Sequence, residues 1–183
     1  MTVPGLSQRT LDALEQAKPK ALSEVLTALG DKAGGRTGGM LRMFIAVNSD
    51  DGPKGWRRLY ESRVGEQADE EDWQKYEFIS MEKFLRLAKT YAQLGYVSSW
   101  QSRNVNAWEY GGAFIVRFHL HDANFGDGMC TLLVAFSGLP EIADEAFVLK
   151  VLQKIGWGSM DQYAGLLNYS NNEFASELLM AAA

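Results

Sequence analysis

The length, composition and charge of the chain restrict its fold and its partners. Its 183 residues suffice for one domain with a real core, and 46% hydrophobic with 22% charged residues is ordinary for a globular protein. A net charge of −5 argues against a nucleic-acid-binding surface, which usually needs a basic face. We interpret the basic cluster Lys54, Arg57, Arg58 and Arg63 as a solvated segment and expect no nucleic-acid partner.

Cysteine usage and hydropathy indicate the compartment. Cys130 is the only cysteine, so no intramolecular disulfide can form, and its apolar surroundings predict an inert, buried thiol. No stretch approaches the length of a membrane span, and the N-terminus lacks the apolar core of a signal peptide. We therefore expect a cytoplasmic protein with no membrane partner.

The first 61 residues predict two helices, a loop and a hairpin. Ser7 can cap the first helix, which we expect to break near Pro19, and the second helix should end at Gly30. Residues 31–39 contain four glycines, which predict a poorly ordered loop, and they lack the Gly-Lys-Ser/Thr ending of a P-loop. The apolar run 40–47, a strong turn signal and the run 56–61 then predict two antiparallel strands.

The middle of the chain combines an acidic run, a helix and an aromatic segment. The run 65–72 is typical of a solvated loop or a helix start, and neighbouring acids do not by themselves make a metal site. Apolar residues at helical spacing predict a helix over 80–94 that Ser80 caps and Gly95 ends. Residues 96–110 are dense in aromatics and amides, which are enriched at ligand and protein contacts. Packing of Trp100 and Trp108 on the sheet explains this density equally well.

Residues 111–156 predict the centre of the fold. Alternating apolar residues in 113–121 and the apolar run 129–136 predict two strands, which a turn rich in Asn, Asp and Gly links as a hairpin. Pro140 then favours a first helical turn, and the apolar stripe that follows predicts a helix ending near Gly156.

Beyond this stretch, apolar spacing predicts two further helices, one around Tyr163 and one around Leu178. We divide the chain into a single α+β domain over 1–157 and a C-terminal helical extension over 158–183. Adjacent strands favour antiparallel pairing, with helices packed against the sheet.

Several of these segments resemble one known family. Ser137-Gly-Leu-Pro-Glu-Ile-Ala-Asp144 is the most specific match, and weaker ones lie at Gly111-Gly112-Ala-Phe-Ile, Gly128, Thr90, Gly95, Ser98-Ser99 and Phe44-Ile-Ala-Val-Asn48. They resemble the haem-degrading-domain family, which comprises GlcG- and HbpS-like proteins and the C-terminal domain of the corrinoid adenosyltransferase PduO. The resemblance covers roughly residues 21–157. Leu87 stands where the family commonly has lysine, and Tyr110 stands where a histidine often precedes the Gly-Gly pair.

The resemblance implies a profilin-like domain with an antiparallel sheet of about five strands, flanked by helices and assembled into homo-oligomers. It also implies a small ligand, with haem or corrinoid as the cofactor candidates, and no established reaction. The resemblance, the aromatic segment and the first strand of the hairpin together give a candidate ligand-binding set: Trp100, Trp108, Tyr110, Gly111, Gly112, Arg117, His119 and His121.

The chemistry of individual residues adds little to this prediction. His119 and His121 share one strand face and would suit a metal only with a further ligand, from Asp122 or another acid. The alternative is that they decorate the less buried strand face at a helix or subunit contact, so we assign no metal site. Ser137 reads as a turn residue. The first hypothesis is a small-ligand-binding protein, and the alternative is an oligomeric protein-interaction module with a decayed pocket.

Overall fold

The computed structural model describes residues 5–49, 52–66 and 69–181. In chain order the elements are α1 (Gln8–Leu29), β1 (Thr37–Ser49), β2 (Gly52–Glu66), α2 (Glu70–Leu94), β3 (Ala113–Asp122), β4 (Gly126–Ser137), α3 (Glu141–Lys154), α4 (Met160–Leu167) and α5 (Glu173–Met180), with short 3₁₀ helices at Gly30–Ala33, Ser99–Ser102 and Val105–Ala107. The α+β class is therefore confirmed.

The sheet is antiparallel, with strand order β2-β1-β4-β3. The prediction of about five strands was wrong, because the described residues form four. Residues 96–110 form 3₁₀ turns and pair with β3 only at an isolated bridge, between Ser98 and Phe114, so this described segment adds no fifth strand.

Helices cover both faces of the sheet because successive side chains of β3 and β4 point alternately into two apolar clusters. Phe114, Val134 and their face-mates pack with α1 and α3 in the larger core. Ile115 and Leu133, on the opposite face, pack with Phe84 and Leu87 of α2. The β3–β4 hairpin and α3 were predicted correctly, and Gly138 in the turn before α3 has φ of +154°.

The predicted helix break near Pro19 was wrong, since α1 runs unbroken from Gln8 to Leu29. Proline removes one backbone hydrogen bond from a helix. Burial on both sides of it holds α1 together: Leu14 and Ala17 precede the proline and Ala21 and Leu22 follow it, all in the core. Ser7 caps the helix as predicted.

The glycine-rich segment 31–39 is not the poorly ordered loop that its composition predicted. Its first residues form a 3₁₀ turn, and Gly38 and Gly39 belong to β1. A Cβ on Gly39 would lie 2.2 Å from the Ser137 carbonyl oxygen, and one on Gly138 would lie 2.1 Å from the Gly38 carbonyl oxygen. These glycines therefore permit close backbone packing of β1 against the turn that precedes α3.

Helix α2 begins ten residues before the predicted Ser80, and its N-cap is Asp69, whose side chain accepts a hydrogen bond from the Asp72 amide. Of the acidic run 65–72, Glu66 ends β2, residues 67 and 68 lie outside the described residues, and the acids from Asp69 onward form a helix start, where the helix dipole favours carboxylates. The predicted tail helices are present as α4 and α5, and their residues Tyr163 and Leu179 join the main core. No described helix combines the length and apolarity that a membrane crossing requires.

Candidate functional site

A cavity of about 160 Å³ lies where α2, the end of segment 96–110 and the turn between β4 and α3 meet. We call it the α2–α3 cavity. Its lining consists of Arg36, Lys75, Tyr76, Ile79, Lys83, Trp108, Tyr110, Ser137, Gly138, Leu139, Glu141 and Asp144.

A buried ion pair lies at the inner end of the cavity. The Lys83 ammonium is 2.8 Å from Asp144 Oδ2 and donates a second hydrogen bond, also 2.8 Å long, to the Phe136 carbonyl. The Asp144 Oδ1 atom accepts a hydrogen bond from the Leu139 amide at 2.9 Å. Both side chains are almost fully buried. Burial raises the pKa of Asp144 to about 6, against the opposing effect of Lys83.

Glycine at position 112 makes room for this pair. Gly112 has φ of +100°, and a Cβ there would lie 2.7 Å from the Asp144 Cβ and 2.9 Å from the Lys83 Nζ. An ammonium has three N–H donors. Two of those of Lys83 have protein acceptors, and the third remains for a molecule in the cavity.

Glu141, in the first turn of α3, is held by two partners. Arg103 donates to both of its carboxylate oxygens, at 2.9 and 2.7 Å, and the Gly111 amide donates at 2.7 Å. Burial opposes ionisation, but these donors lower the pKa of Glu141 below its ordinary value. Trp100 packs behind Gly111 and under the Arg103 guanidinium, which lies 4.6 Å from its ring centroid, so this tryptophan supports the wall and does not line the cavity.

The cavity also contains two cations of a different kind. Within the described ranges, neither the Arg36 guanidinium nor the Lys75 ammonium makes a hydrogen bond or an ion pair, although Arg36 is close enough to Asp144 to help lower its pKa. Both carboxylates of the cavity, by contrast, already have cationic partners. The cavity lining therefore holds three cationic side chains and two carboxylates. The acids of a neighbouring depression, which Lys75 also lines, offset part of this excess.

Trp108 stands at the outer end of the cavity in a strained conformation. Its φ of +60° lies in the left-handed region, which bulky residues seldom adopt, and its side chain is 64% exposed. The ring contacts Tyr110 edge to face, with centroids 6.4 Å apart. Trp108, Lys75 and Ile79 also line an open depression of about 570 Å³ with Phe78. Asp69, Glu71 and Asp72 complete the lining of this depression.

Only some of the residues predicted to bind a ligand lie at the α2–α3 cavity. Trp108 and Tyr110 line the cavity, and Gly111 and Gly112 border it. Arg117 lies elsewhere, in a groove with Tyr91, whose hydroxyl it contacts at 3.2 Å.

His119 and His121 also lie away from the cavity. At about 3.3 Å per residue, they are roughly 20–30 Å along β3 from Gly112. Both are exposed, and the Asp127 carboxylate on β4 lies beside them. Asp122 is not their partner, because its carboxylate accepts hydrogen bonds from Ser7 at the start of α1.

Sequence reasoning missed Lys83, although a signal was present. Buried positions of α2 recur at Tyr76, Ile79, Lys83 and Leu87, and a lysine within such a stripe must find a partner. Lys83 also lies one helical turn before Leu87, the position at which the resemblance implies a lysine. Cys130, which was predicted to be buried, is only half-buried, and this burial raises the pKa of its thiol.

Comparison with known proteins adds no relative. No family model, curated protein or solved structure matches the chain. The resemblance to the haem-degrading-domain family therefore rests on the sequence motifs alone.

Proposed function

We propose that the protein binds a small organic monoanion in the α2–α3 cavity. The observation that carries this proposal is the charge of the lining: Glu141 and Asp144 form ion pairs, whereas the side chains of Arg36 and Lys75 form none among the described residues. A carboxylate in the cavity would pair with these cations and accept the remaining hydrogen bond of Lys83.

The outer depression restricts the rest of the ligand. Trp108 and Phe78 offer aromatic surface there, which suits a planar or apolar group. Asp69, Glu71 and Asp72 at the same depression repel additional negative charge. The ligand is therefore a monocarboxylate with an apolar or planar part, in preference to a polyphosphate.

The haem and corrinoid implied by the resemblance do not fit this cavity. Its volume of about 160 Å³ is below the range of about 300–1,000 Å³ found for drug-sized ligands, and a tetrapyrrole is at least drug-sized. Its lining contains neither an imidazole nor a thiol, the commonest axial ligands of haem iron. We expect a flat Soret signal when the protein is titrated with haemin, and a saturable one-to-one signal would overturn the size argument.

The expected profilin-like fold and cytoplasmic location belong to the same proposal. Four antiparallel strands with helices on both faces support a profilin-like arrangement. A single cysteine, which cannot form an intramolecular disulfide, supports a cytoplasmic location.

Tryptophan indole signals in an NMR spectrum test the ligand class. The chain has five tryptophans, and a Trp108→Phe variant identifies the signal of Trp108. Benzoate is a planar monoanion, and benzamide is its neutral match in shape. We expect benzoate, but not benzamide, to shift the Trp108 signal.

Charge variants complete this test. Arg36→Gln or Lys75→Gln should weaken the response to benzoate, and Arg9→Gln, an exposed change on α1, should not. An equal response to both compounds, or one insensitive to the cavity variants, contradicts the proposal.

The alternative function, assembly into homo-oligomers, has a separate observation in its favour. Phe78 and Leu85 lie seven residues apart on α2 and are 72% and 59% exposed, so they form an apolar strip on one side of the helix. If this strip mediates assembly, the Phe78→Ser and Leu85→Ser double variant should be monomeric by light scattering. The matched Leu94→Ser variant, which lies on a different side of α2, should leave the wild-type mass unchanged. An identical mass for all three proteins rejects this interface.

A further inference from the structure

The far end of the β3–β4 hairpin brings together three potential metal ligands. His121 pairs directly with Asp127 across the two strands, and His119 lies two residues away on the same face. The Asp127 Oδ1 atom is 3.0 Å from His119 Nδ1 and 2.9 Å from His121 Nδ1. His119 Nδ1 is 3.2 Å from His121 Nε2.

We propose that His119, His121 and Asp127 form a binding site for a divalent transition metal of the zinc class. Tetrahedral zinc with bonds of about 2.0–2.1 Å places its ligand atoms about 3.3 Å apart. The distances from His119 Nδ1 to the other two side chains, 3.0 and 3.2 Å, are close to that spacing. His121 contacts Asp127 through Nδ1 and His119 through Nε2, so one of its nitrogens must turn toward the ion. One ligand atom from each of the three side chains already lies within 4.8 Å of the other two.

The ligand types select the metal. Two imidazoles and one carboxylate suit zinc, cobalt, nickel and copper, whereas magnesium and calcium prefer oxygen ligands throughout. All three side chains are exposed, with side-chain exposures of 49%, 73% and 65% for His119, His121 and Asp127. Water or a group from another molecule can therefore complete the coordination, as in zinc sites that keep one open position.

The backbone fixes the ligand positions before any ion binds. All three residues belong to the paired strands, whose ladder continues to Asp122 and Gly126. The carboxylate of Asp122 is taken by Ser7, so the acid that completes the set comes from the opposite strand. Strand register, which the sequence pattern does not show for this hairpin end, supplies the ligand that the two histidines lacked.

Zinc titration of untagged, metal-free, full-length protein tests the site. The chain contains only two histidines, so imidazole ¹⁵N signals report on both without ambiguity. We expect one Zn²⁺ per chain, shifts of both imidazoles and no response to Mg²⁺. His119→Ala, His121→Ala and Asp127→Asn should each weaken zinc binding more than about tenfold, the least that loss of a supporting residue usually costs.

Met129→Leu is the matched control, because Met129 lies opposite His119 on the same exposed face and a thioether is a poor zinc ligand. This variant should keep the wild-type affinity. If the two rings only donate hydrogen bonds to Asp127 and bind no metal, zinc will shift neither imidazole signal. That result, binding that survives the ligand variants, or an equal loss in Met129→Leu overturns the proposal.

Discussion

Glu145 gives the sharpest test of how burial controls the stability of this protein. It lies on α3 with no exposed surface, and its Oε2 atom accepts a hydrogen bond from Asn172 at 3.0 Å. Its Oε1 atom is buried and has no hydrogen-bond partner. Burial raises the pKa of Glu145 from 4.5 to about 7, and the hydrogen bond from Asn172 opposes this shift only in part.

The raised pKa makes the fold less stable as pH increases. Between pH 4.5 and 7 the unfolded chain loses the Glu145 proton while the folded chain keeps it, so unfolding becomes easier. One pH unit of difference is worth about 1.36 kcal/mol, which gives about 3 kcal/mol lost above pH 7 relative to pH 4. A neutral isostere should remove this loss.

We therefore expect Glu145→Gln to be more stable than the wild type by about 2 kcal/mol at pH 8, after about 1 kcal/mol is deducted for a poorly bonded amide. At pH 4 the order should reverse or the two should be equal. Urea denaturation measures this as a shift of the midpoint with an unchanged m-value. Asp144, whose pKa is also raised by burial, acts equally in both proteins, so its effect cancels in the difference.

The exposed Glu177→Gln on α5 is the control and should shift the midpoint equally at both pH values. If Glu145→Gln shows the same pH dependence as the wild type, the buried carboxyl does not titrate as described. The reasoning from desolvation would then be refuted for this site.

Three further changes test the site and its supports. Gly112→Ala should lower the free energy of unfolding by at least about 2 kcal/mol, because its Cβ meets Asp144 at 2.7 Å with φ of +100°, and a thermal midpoint equal to the wild type contradicts this. Lys83→Met should cost about 3–5 kcal/mol by leaving Asp144 buried without a cation, and Asp144→Asn added to it should recover part of that loss in urea denaturation. Trp108→Gly should change stability by less than about 1 kcal/mol, since relief of the positive φ offsets the added chain entropy, yet it should weaken benzoate binding in calorimetry; a large destabilisation would show that the ring is structural.

The candidate site could be predicted from the sequence only in part. The density of aromatic residues predicted Trp108 and Tyr110 as ligand-binding residues, and the Gly-Gly motif predicted Gly112. All three lie at the cavity. Arg117 was assigned to the same site because it shares a strand face with His119 and His121, but it lies in a different groove. Adjacency in sequence along a strand means separation in space, at about 3.3 Å per residue.

The sequence by itself determined the helices and strands whose sequence signals are local. The β3–β4 hairpin, α3 and the two tail helices follow from periodicity and turn residues within a few positions of each other. The same local reasoning failed at Pro19 and at Gly38–Gly39, where packing against distant residues overrides the preference of the segment.

Only the tertiary structure decided which side chains meet. Lys83 and Asp144 are 61 residues apart, and their contact depends on how α2 and α3 approach the turn after β4. His121 meets Asp127 because of one strand register among several that the hairpin sequence permits. Local patterns determine helices and strands because their hydrogen bonds are short-range, whereas a cavity or a metal site depends on how those elements pack.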